Sequence, residues 1–306
     1  MLCGPEIFSG SIGLLLKTNS GRTFMRLLAY RKDGKMGLAI ATGADEWRGA
    51  FEGDAAYPGS IAELLEKGDF SAASALQNVA VIDLDDVEVL PPLSNPPKII
   101  CLGLNYSEHA AESGFEPPPF PTIFGRFNSS LVGHGQPVLK PKVSDDFDYE
   151  GELVAIIGKK GRHISKADAL SHVAGYSVFN DVSVRDYQLM TPQWTVGKNF
   201  DATGAFGPAF VTADELPAGA SGLKLETRLN GLVVQSDTTD HMIFDVATTI
   251  ELLSRGITLE VGDVLVMGTP SGIGLARDPK LYMKQGDVIE VEIEKVGLLR
   301  NPVVNE

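Results

Sequence analysis

The chain has 306 residues, 43% apolar and 22% charged, and its 26 basic against 40 acidic residues give a net charge of −14. That length accommodates one large domain with its own core plus a small one. The acidic balance argues against nucleic acid or an anionic membrane surface as partner, because both reward basic patches.

In chain order, short strand-like runs at 12–16, 23–30 and 36–41 alternate with Gly and Asp turns. A helix is predicted from Ser60 to about Lys67, stopped by Gly68. The run Leu90-Pro91-Pro92-Leu93-Ser94-Asn95-Pro96-Pro97 then reads as an extended linker, since so many prolines continue neither a helix nor a central strand. It predicts a small N-terminal α+β domain over 1–90, a linker over 91–97 and a larger domain over 98–306.

Beyond the linker, Ile99 to Leu104 reads as a buried strand, followed by a short helix from Ser107 to Ser113 with Ser107 as N-cap and Gly114 at its end. Residues 114–121 carry four more prolines and predict a surface loop. Helices are expected from Ser165 to about Val173 and from Asp245 to Arg255. Two similar strand starts, Gly262-Asp263-Val264 and Gly286-Asp287-Val288, suggest a β-roll in the tail. Helices and strands do not alternate regularly, so the reading is α+β rather than a parallel βαβ sheet.

The two cysteines, Cys3 and Cys101, match neither a disulfide framework nor a metal knuckle, which points to a reducing compartment. No apolar run approaches the ~18 residues needed to span a bilayer, and the first residues lack a secretory pattern. The expected location is the cytoplasm.

The most informative residues are Glu150 and Glu152, which precede the apolar run Leu153-Val154-Ala155-Ile156-Ile157. On a strand they point to the same side, roughly 7 Å apart. Like charges held that close call for a cation between them or a shared proton; the alternative is an exposed strand end with two solvated acids. Asp181 ends the apolar run 176–180 and supplies a third oxygen donor, unless it is only a cap or an Asx-turn. Three carboxylates suit Mg²⁺, with Mn²⁺ or Ca²⁺ as substitutes, whereas zinc-like His and Cys spacing is missing.

His109 and Glu112 lie three apart on one helix face. They read either as a water-activating base oriented by a carboxylate or as an ordinary exposed pair. The proline-rich loop that follows suits a movable lid. Lys198 follows Asp181 by one loop and reads as a holder of a substrate carboxylate or enolate, or as a solvated lysine. Gly268-Thr269-Pro270-Ser271-Gly272-Ile273-Gly274 lacks the lysine of a phosphate loop and reads as a tight turn presenting backbone N–H groups and the Thr269 hydroxyl.

Taken as an ordered set, these segments resemble the fumarylacetoacetate hydrolase family. The matching pieces are Gly103-Leu104-Asn105-Tyr106 with His109 and Glu112, Asp148-Tyr149-Glu150-Gly151-Glu152-Leu153, and Asn180-Asp181-Val182-Ser183 with Arg185-Asp186 and Gln188. Gln193-Trp194-Thr195 with Gly197-Lys198, Met242-Ile243-Phe244, Gly262-Asp263-Val264 and Gly268-Thr269-Pro270 complete the set, over roughly residues 98–303. The resemblance implies a mixed β-sandwich or β-roll, a homodimer, and Glu150, Glu152 and Asp181 as Mg²⁺ ligands. It implies that His109 and Glu112 ride on a lid, with Lys198 also in the catalytic set and Tyr106, Gln188 and Thr269 as substrate contacts. Arg126 stands where many members carry lysine, and reads as a bidentate grip on a substrate carboxylate. His241 stands where many members carry aspartate.

The leading expectation is a Mg²⁺-dependent hydrolase that cleaves a carbon–carbon bond in a small anionic 2,4-dioxo acid, an acylpyruvate of the fumarylpyruvate kind, through a stabilised pyruvate enolate. A decarboxylase or a keto–enol or double-bond isomerase of a 2-oxo or 2-hydroxydienoic diacid uses the same site and is the alternative. A non-catalytic binding dimer is the remote one.

Overall fold

The run Gly151–Ile157 is buried at every position, which suits a strand in the middle of a sheet covered on both faces. In the computed structural model, which describes residues 25–43, 46–114, 116 and 119–306, this strand lies between antiparallel neighbours, Val173–Asp181 and Val264–Val266. Its alternating side chains enter two different cores. Leu153, Ala155 and Ile157 join one cluster, while Val154 and Ile156 join the other. The edge-ward strand Ile99–Gly103 repeats the split, with Ile100 and Leu102 on the first side and Ile99 and Cys101 on the second.

The sheet runs in the order Val81–Ile82, Trp47–Phe51, Lys35–Ala41, Arg26–Lys32, Gly204–Thr212, Val173–Asp181, Gly151–Ile157, Val264–Val266, Ile99–Gly103, Thr122–Arg126. Along this path every pairing is antiparallel except that of Val264–Val266 with Ile99–Gly103. The strands before the proline-rich stretch thus extend the same sheet as those after it, through Arg26–Lys32 against Gly204–Thr212. Leu90 and Leu93 of that stretch are themselves buried. The expected strand at 12–16 lies outside the described residues.

A five-stranded sheet covers one face, in the order Leu232–Thr238, Lys224–Leu229, Val288–Ile293, Gly297–Asn305, Val138–Lys140. Its inward residues Leu225, Val291 and Leu299 fill the first core, together with Ile250 and Leu253 of the helix Val246–Ser254. The helix Ile61–Lys67 covers the opposite face with Ile61, Leu64 and Leu65. The expected α+β sandwich is therefore the observed one. The two Gly-Asp-Val starts share one turn device. Asp263 Oδ2 accepts the Glu260 N–H and Asp287 Oδ2 accepts the Lys284 N–H. They nonetheless feed different sheets.

The helix Ile61–Lys67 begins with a reciprocal cap between Ser60 and Glu63 and stops at Gly68 in the left-handed region (φ 64°). Ser107 departs from expectation. Tyr106 is the N-cap, extended at φ −126°, and Ser107 opens the helix Ser107–Glu112. An antiparallel bridge from Tyr106 to Met242 holds the backbone extended to that residue.

Candidate active site

Strand register delivers Asp181 to the two glutamates. Gly151 pairs with Asn180, and the Asp181 N–H donates to the Glu150 carbonyl at 2.8 Å. Phe179 and Asp181 alternate onto the face that Glu152 shares with Val154, which is the side of the second core. One oxygen from each of Glu150, Glu152 and Asp181 lies within 4.8 Å of the others, and all three residues are buried.

Three buried cations surround this cage. Lys198 Nζ donates to Glu150 Oε2 at 2.7 Å and to Asp181 Oδ2 at 2.5 Å. Arg185 Nη1 lies 2.6 Å from Glu150 Oε1, and its Nε donates to Asp148 Oδ2 at 2.8 Å. Arg126 Nη1 is paired with Asp181 Oδ1. The Arg126 guanidinium also reaches Thr203 Oγ1 at 2.8 Å and lies 5.5 Å above the Phe179 ring.

Electrostatics separates the two glutamates. Burial opposes ionisation of Glu150, but Lys198 and Arg185 outweigh it and hold the carboxyl down at about 2. Glu152 is pushed well above the usual carboxylate range, by burial first and then by Asp181 and Glu150. Against this act the Lys198 charge and then the Gly268 N–H, which donates to Glu152 Oε2 at 2.5 Å. Ionising Glu152 as well as Asp148, Glu150 and Asp181, against Lys198, Arg126 and Arg185, would leave the buried cluster with one negative charge in excess. A hard divalent cation among three convergent carboxylate oxygens relieves that excess, so the residues fit a metal of the Mg²⁺ type.

The cage opens on a pocket of 170 Å³ lined by His109, Glu150, Glu152, Gln188, Lys198 and Thr269, with Trp194 and Phe124 among its apolar walls. A larger hollow of 490 Å³ beside Phe70 and Tyr176 offers only Asp69 and Asp214 as charged groups, so size does not mark the site. His109 is buried, and its Nδ1 lies 2.9 Å from Glu112 Oε1. A ring N–H shared in that contact leaves Nε2 as the nitrogen available to a ligand. The second Glu112 oxygen accepts the Gly272 N–H at 2.8 Å.

Of the residues read from the sequence, Glu150, Glu152, His109, Lys198, Gln188 and Thr269 line this pocket, and Asp181, fully buried, joins them through the carboxylate cage. Thr269 Oγ1 donates to the Gly151 carbonyl at 3.0 Å and accepts from Gln235 at 2.9 Å. Tyr106 is buried outside the lining, and burial raises its hydroxyl pKa. Arg126 does not face the pocket as expected. Its side chain is fully buried behind Asp181, because an arginine at the end of an edge strand finds the nearest carboxylate, and that is Asp181. Arg185 was not singled out from the sequence. Four residues past Asp181, it turns back into the cage, and its Nη2 is buried beside the pocket with no hydrogen-bond partner among the described residues.

A sandwich of this topology, with a Glu-x-Glu and Asp cage beside a His–Glu dyad at one pocket, defines an enzyme class with a candidate metal centre. The model of the fumarylacetoacetate hydrolase C-terminal region matches residues 98–304, and the chain belongs to that family. It is 40% identical over 256 residues to the mitochondrial oxaloacetate tautomerase of Rattus norvegicus, covering 82% of each chain. It is 41% identical over 257 residues to the one from Xenopus laevis, covering 82% of this chain and 80% of that one. Among solved structures, the fumarylacetoacetate hydrolase of Exiguobacterium antarcticum shares 35% identity at TM-score 0.81, covering 92% of this chain and all (100%) of that one. The 2-hydroxyhepta-2,4-diene-1,7-dioate isomerase of Mycobacterium marinum shares 30% at TM-score 0.71, covering 92% and 99%. These names favour the isomerase alternative over the acylpyruvate hydrolase that led the expectation. The two tautomerases are named mitochondrial, which gives the expected cytoplasmic location no support. No helix among the described residues is long and apolar enough to cross a membrane.

Proposed function

We propose that the chain is a divalent-metal-dependent keto–enol tautomerase of a small 2-oxo dicarboxylic acid of the oxaloacetate class. The observation that carries this reading is that an oriented imidazole, a buried ammonium and two of three convergent carboxylates line one pocket of 170 Å³, with the third carboxylate, Asp181, buried against them. That volume suits a short diacid. The names of the relatives select tautomerisation among the reactions such a pocket supports.

Glu150, Glu152 and Asp181 would hold the cation, with Mg²⁺ suited to their hard oxygens. A cation held there would supply Lewis acidity, making the C–H beside the substrate's 2-oxo group more acidic. His109 Nε2 takes the proton from that carbon as the C–C double bond forms and the electron pair moves to oxygen. Glu112 holds the ring in the required tautomer and stabilises the imidazolium. The Lys198 ammonium, buried and fixed by two carboxylates, steadies the negative charge that develops on the oxygen. The imidazolium returns its proton to that oxygen to give the enol. Arg185 Nη2, a charged donor with no partner among the described residues, and Gln188 would receive a substrate carboxylate.

The test follows the ultraviolet absorbance of freshly dissolved enol-oxaloacetate as it relaxes to the keto form, with Mg²⁺ and with EDTA. The expected result is relaxation accelerated by enzyme only when the metal is present, without release of pyruvate or carbon dioxide. Metal-dependent pyruvate release from an acylpyruvate, with no acceleration of enol relaxation, would overturn the reading.

A further inference from the structure

The residues that line the pocket leave one buried carboxylate beside it unused. Asp148 is fully buried, and both of its oxygens are saturated. Oδ1 accepts the N–H groups of Tyr149 at 2.9 Å and Gly274 at 2.8 Å. Oδ2 accepts the Leu275 N–H at 2.9 Å and Arg185 Nε at 2.8 Å. A carboxylate that gathers three backbone donors and a guanidinium fixes whatever those donors belong to. Two of them belong to the loop 272–275.

The other end of that loop is fastened to the dyad. Gly272 N–H donates to Glu112 Oε2 at 2.8 Å, on the carboxylate whose second oxygen holds His109. The Gly272 carbonyl is held from two further sides, by Tyr149 Oη at 3.1 Å and Arg277 Nε at 3.2 Å. The glycines are what allow so close a clamp. Gly272 sits at φ +103°, and a Cβ there would meet the Val234 carbonyl at 2.3 Å. A Cβ on Gly274 would meet the Leu281 carbonyl at 2.1 Å and Asp148 Oδ1 at 2.6 Å. Only Ile273 lies between the Glu112 contact at Gly272 and the Asp148 contact at Gly274, so the loop acts as a short rigid strap.

We propose that Asp148 is a positioning residue that holds the His109–Glu112 dyad in register with the carboxylate cage, acting through the backbone of residues 272–275. This rests on the reading of His109 as the proton-transferring group. His109 lies on the helix Ser107–Glu112, whereas Glu152 and Asp181 lie on two strands of the large sheet and Glu150 immediately precedes the first of them. The strap joins them directly, from Glu112 to Asp148 and onward through Arg185 to Glu150. Misplacing an acid–base group by about 1 Å costs on the order of 10² in rate.

A double-mutant cycle separates positioning from plain structural support. Asp148→Asn keeps the shape but sets an amide N–H₂ against the donors that one of its oxygens now accepts. Turnover of enol-oxaloacetate with Mg²⁺ is measured for wild type, Asp148→Asn, His109→Ala and the double variant, with thermal unfolding as the folding control. The expected result is a loss of about 10² in kcat in the wild-type background and a loss at least tenfold smaller in the His109→Ala background. Equal losses in both backgrounds would overturn the proposal. A His109→Ala enzyme with full activity would instead overturn the proton-transfer reading on which it rests. Should Asp148→Asn fail to fold, Arg277→Met loosens the same strap from its half-buried side and is carried through the same cycle. A several-fold loss that vanishes without His109 supports the strap, and a loss that persists overturns it.

Discussion

Replacing Lys198 with methionine tests the charge balance of the cage. The ammonium is 1% exposed and donates to Glu150 Oε2 at 2.7 Å and Asp181 Oδ2 at 2.5 Å. Burial opposes its charge, but Asp181 and Glu150 outweigh burial and hold its pKa above the ordinary lysine value, so it is charged throughout the neutral range. The substitution removes one positive charge and leaves the buried cluster one charge more negative. Breaking one partner out of a buried ion pair costs about 3–5 kcal/mol. At roughly 2–4 °C per kcal/mol for a chain of this scale, the metal-free protein should unfold roughly 6–20 °C lower. Mg²⁺ should restore much of that loss, because the cage has become a stronger cation site, with affinity at least about tenfold tighter. Turnover should nonetheless fall by about 10²–10³, since the ammonium no longer meets the developing oxyanion. Scanning calorimetry with EDTA and with Mg²⁺, metal titration calorimetry and the enol-relaxation assay measure the three quantities. A metal-free melting temperature at or above wild type, with unchanged metal affinity, would refute the charge argument.

Glu152→Gln keeps the acceptor for the Gly268 N–H and removes the uncompensated charge. Since the folded-state pKa of Glu152 is raised, its contribution to stability is complete below its unfolded value near 4.5 and is lost as pH rises through the folded value. Melting temperature against pH in EDTA should therefore lose part of its decline toward neutral pH in this variant, and Mg²⁺ should no longer stabilise it. Glu150 has the opposite sign, with stability present above about 4.5 and lost as pH falls toward about 2. Arg126→Lys removes the fork that spans Asp181, Ser130 and Thr203. It should weaken Mn²⁺ binding by about 10–100-fold, as losses of groups supporting metal ligands do, with KM for substrate less affected than metal affinity. Glu112→Gln should lower kcat by about 10²–10⁴ while leaving metal affinity within threefold, measured by turnover and titration calorimetry.

The carboxylate cage was legible because strand periodicity is local. Glu150 and Glu152 lie two apart before an apolar run, and Asp181 ends another such run, so pairing those strands brings all three together. The double-sided burial of this strand was equally plain in the unbroken apolar run Leu153-Val154-Ala155-Ile156-Ile157. The cations were harder to assign, since a long side chain reports its reach but not its target. Arg126 suggested a grip on substrate, yet the sheet register puts Asp181 in its path. Arg185 and Asp148 carried no periodic signal. Their partners lie across the fold, at Glu150 and at the backbone of Gly274 and Leu275. The Ser107 cap failed for a related reason, because the bridge from Tyr106 to Met242 is a distant contact that overrides a local preference.

The cage as a cation site is tested most directly by electron paramagnetic resonance of Mn²⁺ titrated into the wild type and into Glu150→Gln, Glu152→Gln and Asp181→Asn. One tightly bound ion per wild-type chain, displaced by Mg²⁺ and lost or greatly weakened in all three variants, is the predicted result. Wild-type affinity retained in any two of them would contradict it.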